Sequence, residues 1–219
     1  EVKWTSFSPT RIYFGVGQLD EIGTIIKPIA NRVVIVTSKS AVTNNFLSRC
    51  EKQLASHDIK SFHLSSVSAN PTVHQVNDIV DLVRKNKVKC IIAIGGGSVM
   101  DAAKAASAVI ATGKKIEELF SQQIELDNII SLVAIPTTAG TGSELSKGAI
   151  INWPEKKIKG GVRGKALIPS IAIVDPSLTL SLSERNLKIT SFDAFTHAVE
   201  TFISEKSNLM TSHFSLLAI

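Results

Sequence analysis

From Cys90 to Lys104 the chain reads Cys-Ile-Ile-Ala-Ile-Gly-Gly-Gly-Ser-Val-Met-Asp-Ala-Ala-Lys. The run Cys90–Ile94 is apolar without alternation, which predicts a strand buried on both faces. That is the environment of a central strand in a covered parallel sheet, not of a half-solvated antiparallel ribbon. Three glycines follow at once, then a stretch rich in small residues (Ala102, Ala103, Ala105, Ala106) that reads as a helix. A strand, a glycine turn and a helix start in succession form a candidate phosphate cradle. Glycine lets backbone approach a ligand closely, and the first helical amides present unpaired donors at the positive end of the dipole. The spacing is neither GxGxxG nor GxxxxGK[ST], and a tight turn made small for helix–sheet packing explains the same string equally well.

The flanking sequence repeats the alternation. Val33–Thr37 reads as a buried strand, with a helix over about Asn44 to His57; Lys60–Leu64 is a second strand, and Asn70-Pro71 punctuates. Val73, Val76, Ile79, Val80 and Val83 recur every three or four residues and mark one face of a helix over Val73–Asn86. Leu132–Ile135 and Ile171–Val174 are later strands of the same sheet, so the class is α/β. After Asp175-Pro176 no strand-like run follows, and Ser183 to Ile219 reads as helix after helix. A domain boundary is therefore expected near Leu178, with an α/β domain over 1–178 and the beginning of a helical domain over 179–219. The last residues, Leu216 to Ile219, lie within an apolar helical pattern with no stop signal, as if the sequence ended inside a domain.

The chain has 219 residues with 24 Lys and Arg against 19 Asp and Glu, a formal charge of +5. Such a balance raises nucleic acid as a partner. Yet six cations and one acid (Glu155) between Lys147 and Lys165 carry the whole excess, leaving eighteen against eighteen elsewhere. The segment reads as one glycine-rich loop with Trp153 its only aromatic, not as a basic face interleaved with aromatics, so nucleic acid is disfavoured. Cys50 and Cys90 show no metal or redox spacing and read as reduced, buried thiols of a cytoplasmic protein. No apolar run is long enough to span a bilayer, and no membrane partner is expected.

Two further segments carry chemistry. Pro136-Thr137-Thr138-Ala139-Gly140-Thr141-Gly142-Ser143-Glu144 follows the next strong strand. Loops after parallel strands gather at the carboxyl edge of a sheet, so this hydroxyl-rich loop and the glycine turn are expected to line one crevice. Asp193 and His197 stand at i, i+4 in a predicted helix, which places carboxylate and imidazole on one face where a metal ion could be shared. Taken alone, a solvated surface pair is the commoner explanation. Glu200 could orient the imidazole or simply be solvated, and His57, His63, His74 and His213 read as surface or incidental residues.

In combination, GGGSVMDAAKA (95–105), IPTTAGTGSELS (135–146), IPSIAIVDPSLT (168–179) and DAFTHAVE (193–200) resemble the iron-containing, or group III, alcohol dehydrogenase family across essentially the whole chain. The resemblance implies a Rossmann-like parallel-sheet nucleotide-binding domain followed by an all-helical metal and substrate domain, a dehydroquinate synthase-like architecture with the active site in the cleft between them. It implies that Gly96, Gly97 and Ser98 hold the cofactor diphosphate. Thr137, Thr138 and the loop behind them, Thr141 included, would contact the nicotinamide half. Asn70 and Lys159 reach the cofactor, Lys159 at a ribose, and Asp101 and Leu178 belong to the same binding set. Asp193 and His197 match the first two of four divalent-metal ligands, the other two being histidines beyond Ile219; Fe2+ is the expected ion and Zn2+ the alternative. Such an ion polarises the alcohol or carbonyl oxygen while hydride passes to or from the nicotinamide.

The implied activity is interconversion of a small alcohol and its aldehyde or ketone with NADP(H) or NAD(H), by a homodimer or higher homo-oligomer. NAD-preferring members carry an acid after the first strand that binds the adenosine ribose; here Ser38 stands there, beside Lys39 and Ser40, which favours NADP(H). Ser191-Phe192 departs from the family's Gly and smaller apolar residue. Retention of Asp193 and His197 argues against a maleylacetate reductase, and the PTTAGTGSE loop against glycerol dehydrogenases and dehydroquinate synthases. A hydroxyacid–oxoacid transhydrogenase, or a non-catalytic nucleotide-binding fragment, are the alternatives.

Overall fold

The protein is described from a computed structural model covering residues 3–5, 7–120, 122–125 and 130–219. In chain order the elements are β1 (Arg11–Phe14), α1 (Ile22–Ile26), β2 (Arg32–Thr37), α2 (Lys39–Thr43), α3 (Phe46–Ala55), β3 (Lys60–Leu64), α4 (Val73–Asn86), β4 (Cys90–Gly95), α5 (Gly97–Thr112), α6 (Ile116–Leu119), β5 (Gln123–Ile124), β6 (Ser131–Pro136), β7 (Gly148–Trp153), β8 (Ile158–Gly164), β9 (Ile171–Val174), α7 (Glu184–Ile203) and α8 (Leu209–Ala218).

Six strands form an all-parallel sheet in the order β1-β9-β6-β4-β2-β3. The glycine-ended strand β4 lies between β2 and β6 with every residue buried. Its side chains alternate between two cores: Ile91 and Ala93 pack with α4 and α5, whereas Cys90, Ile92 and Ile94 pack with α1 and α3. A strand covered on both sides needs apolar residues at both parities, which is why its sequence does not alternate. The chain places β3 outside β2 and then crosses back to β4, so strand order reverses between β2 and β4. This reversal opens a crevice at the carboxyl ends, where parallel sheets receive ligands.

α4 spans the expected residues. Its Thr72 hydroxyl accepts from the Gln75 amide at 3.3 Å while the Gln75 carboxamide accepts from the Thr72 amide at 3.1 Å, a reciprocal cap. Three expectations are corrected. The helix expected from Asn44 to His57 is α3 with shorter ends; the short helix α2 that precedes it was not expected, and Asn45, whose φ of 61° is left-handed, separates the two. The edge strand β1 escaped the sequence reading because only four residues form it and most are exposed. The segment Lys147–Lys165 is not a loop but chiefly the antiparallel hairpin β7–β8, extended by β5 into a second sheet. Its glycines masked it: Gly160 lies so close to the Phe120 ring that a Cβ would stand 2.4 Å from it, so at that position the strand shows no side chain, although Ala149, Ile151 and Val162 on the hairpin are buried in the core.

After β9 a 3-10 turn (Pro176–Ser181) leads into α7, which Ser183 caps by accepting from the Asn186 amide at 3.3 Å. Cys50 and Cys90 are free and buried, and burial pushes the Cys90 thiol up to about 12. No helix among the described residues is long and apolar enough to cross a membrane.

Candidate functional site

Two cavities open at the carboxyl edge of the sheet. The larger, about 1190 Å³, is lined by Asn70, Ser98, Thr141, Lys159, Asp193 and His197, among others. The smaller, about 610 Å³, lies between Thr138, Gly140 and the two C-terminal helices, and His197 lines both.

The glycine turn and the hydroxyl loop touch. A Cβ on Gly96 would stand 3.2 Å from Thr138 Cγ2, and one on Gly97 3.1 Å from Thr141 Cγ2. Thr137 N–H donates to Gly95 O at 3.0 Å and closes the same junction. Neither residue has positive φ, so what glycine provides here is space: a side chain would press the threonines back by a few tenths of an ångström. Thr138 Oγ1 is buried and has no hydrogen-bond partner among the described residues. A buried hydroxyl left so costs about 1–3 kcal/mol. A polar ligand seated over Gly96 would supply the missing partner. The helix start, the glycine space and this orphaned hydroxyl together fit a phosphate-bearing ligand.

The facing wall comes from the hairpin. Lys159 Nζ donates to Asn70 Oδ1 at 2.9 Å; Asn70, at φ 57°, donates its amide to Ser98 Oγ at 3.3 Å, and its carbonyl accepts from Asn152 Nδ2 at 3.4 Å. Lys159, Asn70 and Ser98 are therefore joined although far apart in sequence. Lys147 and Arg163 line the same cavity, so part of the cationic segment faces the cleft. His74 on α4 reaches Glu155 beside the hairpin turn, and His63 pairs with Glu51 at 2.8 Å. Both histidines are at the surface, as expected, but each has a carboxylate partner that no local pattern announces.

Asp101 also lines the cleft, but both its oxygens are engaged by protein. Oδ1 accepts from Ser143 Oγ at 2.8 Å and Oδ2 from the Ile150 amide at 3.0 Å. Burial raises its pKa, opposed by the Ile150 and Ser143 hydrogen bonds and by the Lys104 charge.

Asp193 and His197 occupy one face of α7 with Oδ1 and Nε2 3.8 Å apart, both half exposed. His197 Nδ1 lies 3.3 Å from Gly140 O, so the loop carbonyl, and not the exposed Glu200, orients the ring. Gly140 can approach because it lacks a side chain: a Cβ there would stand 2.3 Å from Thr190 O, and its φ of 152° suits glycine alone. Two metal donors at tetrahedral angles sit roughly 3.4 Å apart, so the pair fits two positions of one ion. Among the described residues no group of three or more His, Cys, Asp or Glu converges.

Other predicted residues lie apart. Ser38 is at the carboxyl end of β2, with Oγ 2.8 Å from Ser40 Oγ, and lines neither cavity. Leu178 is wholly buried with the α1–α3 core and lines neither. Phe192 is 71% exposed and borders the larger cavity. His213 lies on α8, away from Asp193 and His197 as cavity neighbours. Ser143, expected to offer its hydroxyl to a ligand, instead meets the buried Lys104, as does the exposed Ser146, and the sequence pointed to neither contact; the only local sign was Lys104 following Asp101 at i, i+3.

Residues 9–176 match the family described as iron-containing alcohol dehydrogenase. The NAD-dependent methanol dehydrogenase of Bacillus methanolicus is 30% identical over 214 residues, covering 97% of this chain and 56% of that protein. The mitochondrial hydroxyacid-oxoacid transhydrogenase of Caenorhabditis elegans is 34% identical over 198 residues, 86% of this chain and 42% of that one. The solved alcohol dehydrogenase of Oenococcus oeni superposes with a TM-score of 0.91 at 30% identity, over 98% of this chain and 57% of its own. The chain thus spans about half the length of these relatives.

Proposed function

The chain belongs to the iron-containing alcohol dehydrogenases, and from that premise we propose that it supplies the nucleotide-binding part of a metal-dependent oxidoreductase. This enzyme interconverts a small alcohol and its aldehyde or ketone using NADP(H) or NAD(H). The observation that carries this reading is the convergence on one cleft of the glycine turn, the hydroxyl loop, the Lys159–Asn70 pair and the Asp193–His197 pair.

In this reading the amides of Gly97 and Ser98, with Gly96 beside them, bind the diphosphate. Thr137, Thr138 and Thr141 orient the nicotinamide half. Lys159 exchanges its hydrogen bond to Asn70 for a ribose hydroxyl. The dinucleotide supplies or accepts the hydride. Asp193 and His197 would give two of the donors to a divalent ion, Fe2+ before Zn2+, which supplies polarisation of the reacting oxygen. The boundary between nucleotide-binding and helical parts falls near Leu178, and the working enzyme is a homodimer or larger homo-oligomer.

NADP(H) is the preferred cofactor in this proposal. Ser38 puts a neutral hydroxyl beside exposed Lys39 and Ser40 where a carboxylate would repel a 2′-phosphate. Since the transhydrogenase relative is 34% identical, hydride transfer between a hydroxyacid and an oxoacid on a retained cofactor is the second reading.

The test is aldehyde-dependent oxidation of NADPH and NADH, with and without Fe2+ or Zn2+, on this chain and on any longer form of the protein. Metal-stimulated turnover with higher efficiency for NADPH is expected. Preference for NADH refutes the cofactor assignment; absence of dinucleotide binding refutes the whole reading. Turnover that requires both a hydroxyacid and an oxoacid favours the transhydrogenase.

A further inference from the structure

Lys104 has no exposed surface, although it lies on α5 directly beneath the cleft. Its ammonium donates three hydrogen bonds: to Ser143 Oγ at 2.8 Å, Ser146 Oγ at 2.8 Å and Gly148 O at 3.0 Å. All its protons are used, and every acceptor is neutral. Ser143 Oγ, having accepted from Lys104, donates its own hydroxyl hydrogen to Asp101 Oδ1 at 2.8 Å, while Asp101 Oδ2 accepts from the Ile150 amide at 3.0 Å. The donors therefore run in one direction, from lysine through serine to aspartate. They join α5, which opens at the glycine turn, to the hydroxyl loop and to β7 of the hairpin.

Burying an ammonium away from a direct carboxylate carries a desolvation cost, and an apolar side chain of similar length would fill the space without it. What the charge adds is placement. We propose that Lys104 is a positioning residue for dinucleotide binding: its ammonium, relayed through Ser143 to Asp101, sets the hydroxyl loop and β7 against the glycine turn and so the width of the diphosphate cleft. This rests on the dinucleotide reading of the cleft given above.

Burial lowers the Lys104 pKa to about 8, and Asp101 on its own helix and Glu144 on the loop, the charged groups acting on it, pull partly back. A neutral amine keeps only two protons and gains a lone pair, so one of its three contacts must reverse or break and the charge that drives the relay is gone. The ordinary value is 10.5. Between about 8 and 10.5 the unfolded chain therefore holds more protons than the folded one, and this group makes folding more favourable as pH rises. Affinity and stability should then move oppositely, which a lysine serving the fold alone would not produce.

The test is fluorescence titration of NADPH and NADH into this chain between pH 7 and 9.5, with thermal unfolding and amide exchange alongside, for the wild type, K104M, S143A and the double variant. Wild-type affinity should fall by up to about tenfold per pH unit above pH 8. K104M should bind about tenfold more weakly at pH 7, lose that pH dependence, melt no lower than wild type and exchange faster over Thr137–Ser146. S143A, which keeps the ammonium, should weaken binding similarly, and the double variant little further. Wild-type affinity from K104M or S143A, or an unchanged pH profile in K104M, overturns the proposal. Unchanged exchange over Thr137–Ser146 in K104M likewise overturns it, since the loop would then be placed without the lysine. No binding by the wild type overturns the dinucleotide reading, and this inference with it.

Discussion

Gly140→Ala is the sharpest perturbation the site offers. The added Cβ would stand 2.3 Å from Thr190 O, 3.1 Å from its carbonyl carbon and 3.3 Å from its Cα, whereas ordinary contact begins near 3.4 Å; loop and α7 must separate by about 1 Å. Overpacking of this kind costs about 1–3 kcal/mol. Holding an alanine at φ 152° adds about 1–3 kcal/mol of backbone strain. Gly142→Ala is the internal control. Gly142 has φ 61° with nothing within 4 Å of a new Cβ, so it carries only a left-handed penalty of about 1–2 kcal/mol. At roughly 2–4 °C per kcal/mol for a chain of this size, Gly140→Ala should melt on the order of 10 °C below wild type, and Gly142→Ala about 4 °C below. Because Gly140 O is the acceptor facing His197 Nδ1, Gly140→Ala should also weaken Zn2+ binding in a calorimetric titration, and Gly142→Ala should not. If both variants melt within about 2 °C of each other, the approach of this loop to α7 is not what the structure describes.

Three other outcomes follow. Ile92→Ala, at a wholly buried position of β4, should cost about 2–5 kcal/mol in urea unfolding; less than 1 kcal/mol would mean that β4 is not central. Ser38→Asp should shift the efficiency ratio from NADPH toward NADH by about tenfold or more, and an unchanged ratio would remove Ser38 from the adenosine end. The third concerns pH. The hydrogen bond to Glu155, then its charge, raises the His74 pKa from 6.5, and the same bond lowers that of Glu155 from 4.5. The histidine contribution is complete below about 6.5 and lost as pH rises through the raised value. The glutamate contribution is complete above about 4.5 and lost as pH falls through the lowered one. Protection of hairpin amides over 148–164, corrected for intrinsic rates, should therefore peak between those limits, and H74A should abolish the peak. A flat wild-type profile would show that this surface pair tethers nothing.

The central strand was legible because double-sided burial is written locally, in five apolar residues without alternation. α4 was legible because a 3.6-residue period and its Thr72–Gln75 cap lie within one segment. The hairpin β7–β8 was not, since its glycines make room for a ring at position 120 that no local pattern announces. Within the site, the glycine turn and hydroxyl loop could be assigned to one edge from the rule for parallel sheets. That they touch through Thr138 and Thr141 depends on the pairing of β4 with β6, and that Gly140 lies against Thr190 depends on where α7 docks. The histidines show the same division: His74 finds Glu155, and His63 finds Glu51, only when strands and helices bring them together.

By itself, then, the sequence determined the layered α/β class, the strand at the centre of the sheet, and the residue types gathered at its carboxyl edge. These follow from periodicity and from the handful of conformations that glycine and small residues permit. Tertiary structure alone decided that Asp101 spends its carboxylate on Ser143 and Ile150, that Asn70 holds Lys159, and that Lys104, with every appearance of a surface lysine, is sealed beneath the cleft. A buried charge must find its partners within about 3 Å. Which distant atoms stand there is settled only by strand pairing and helix packing.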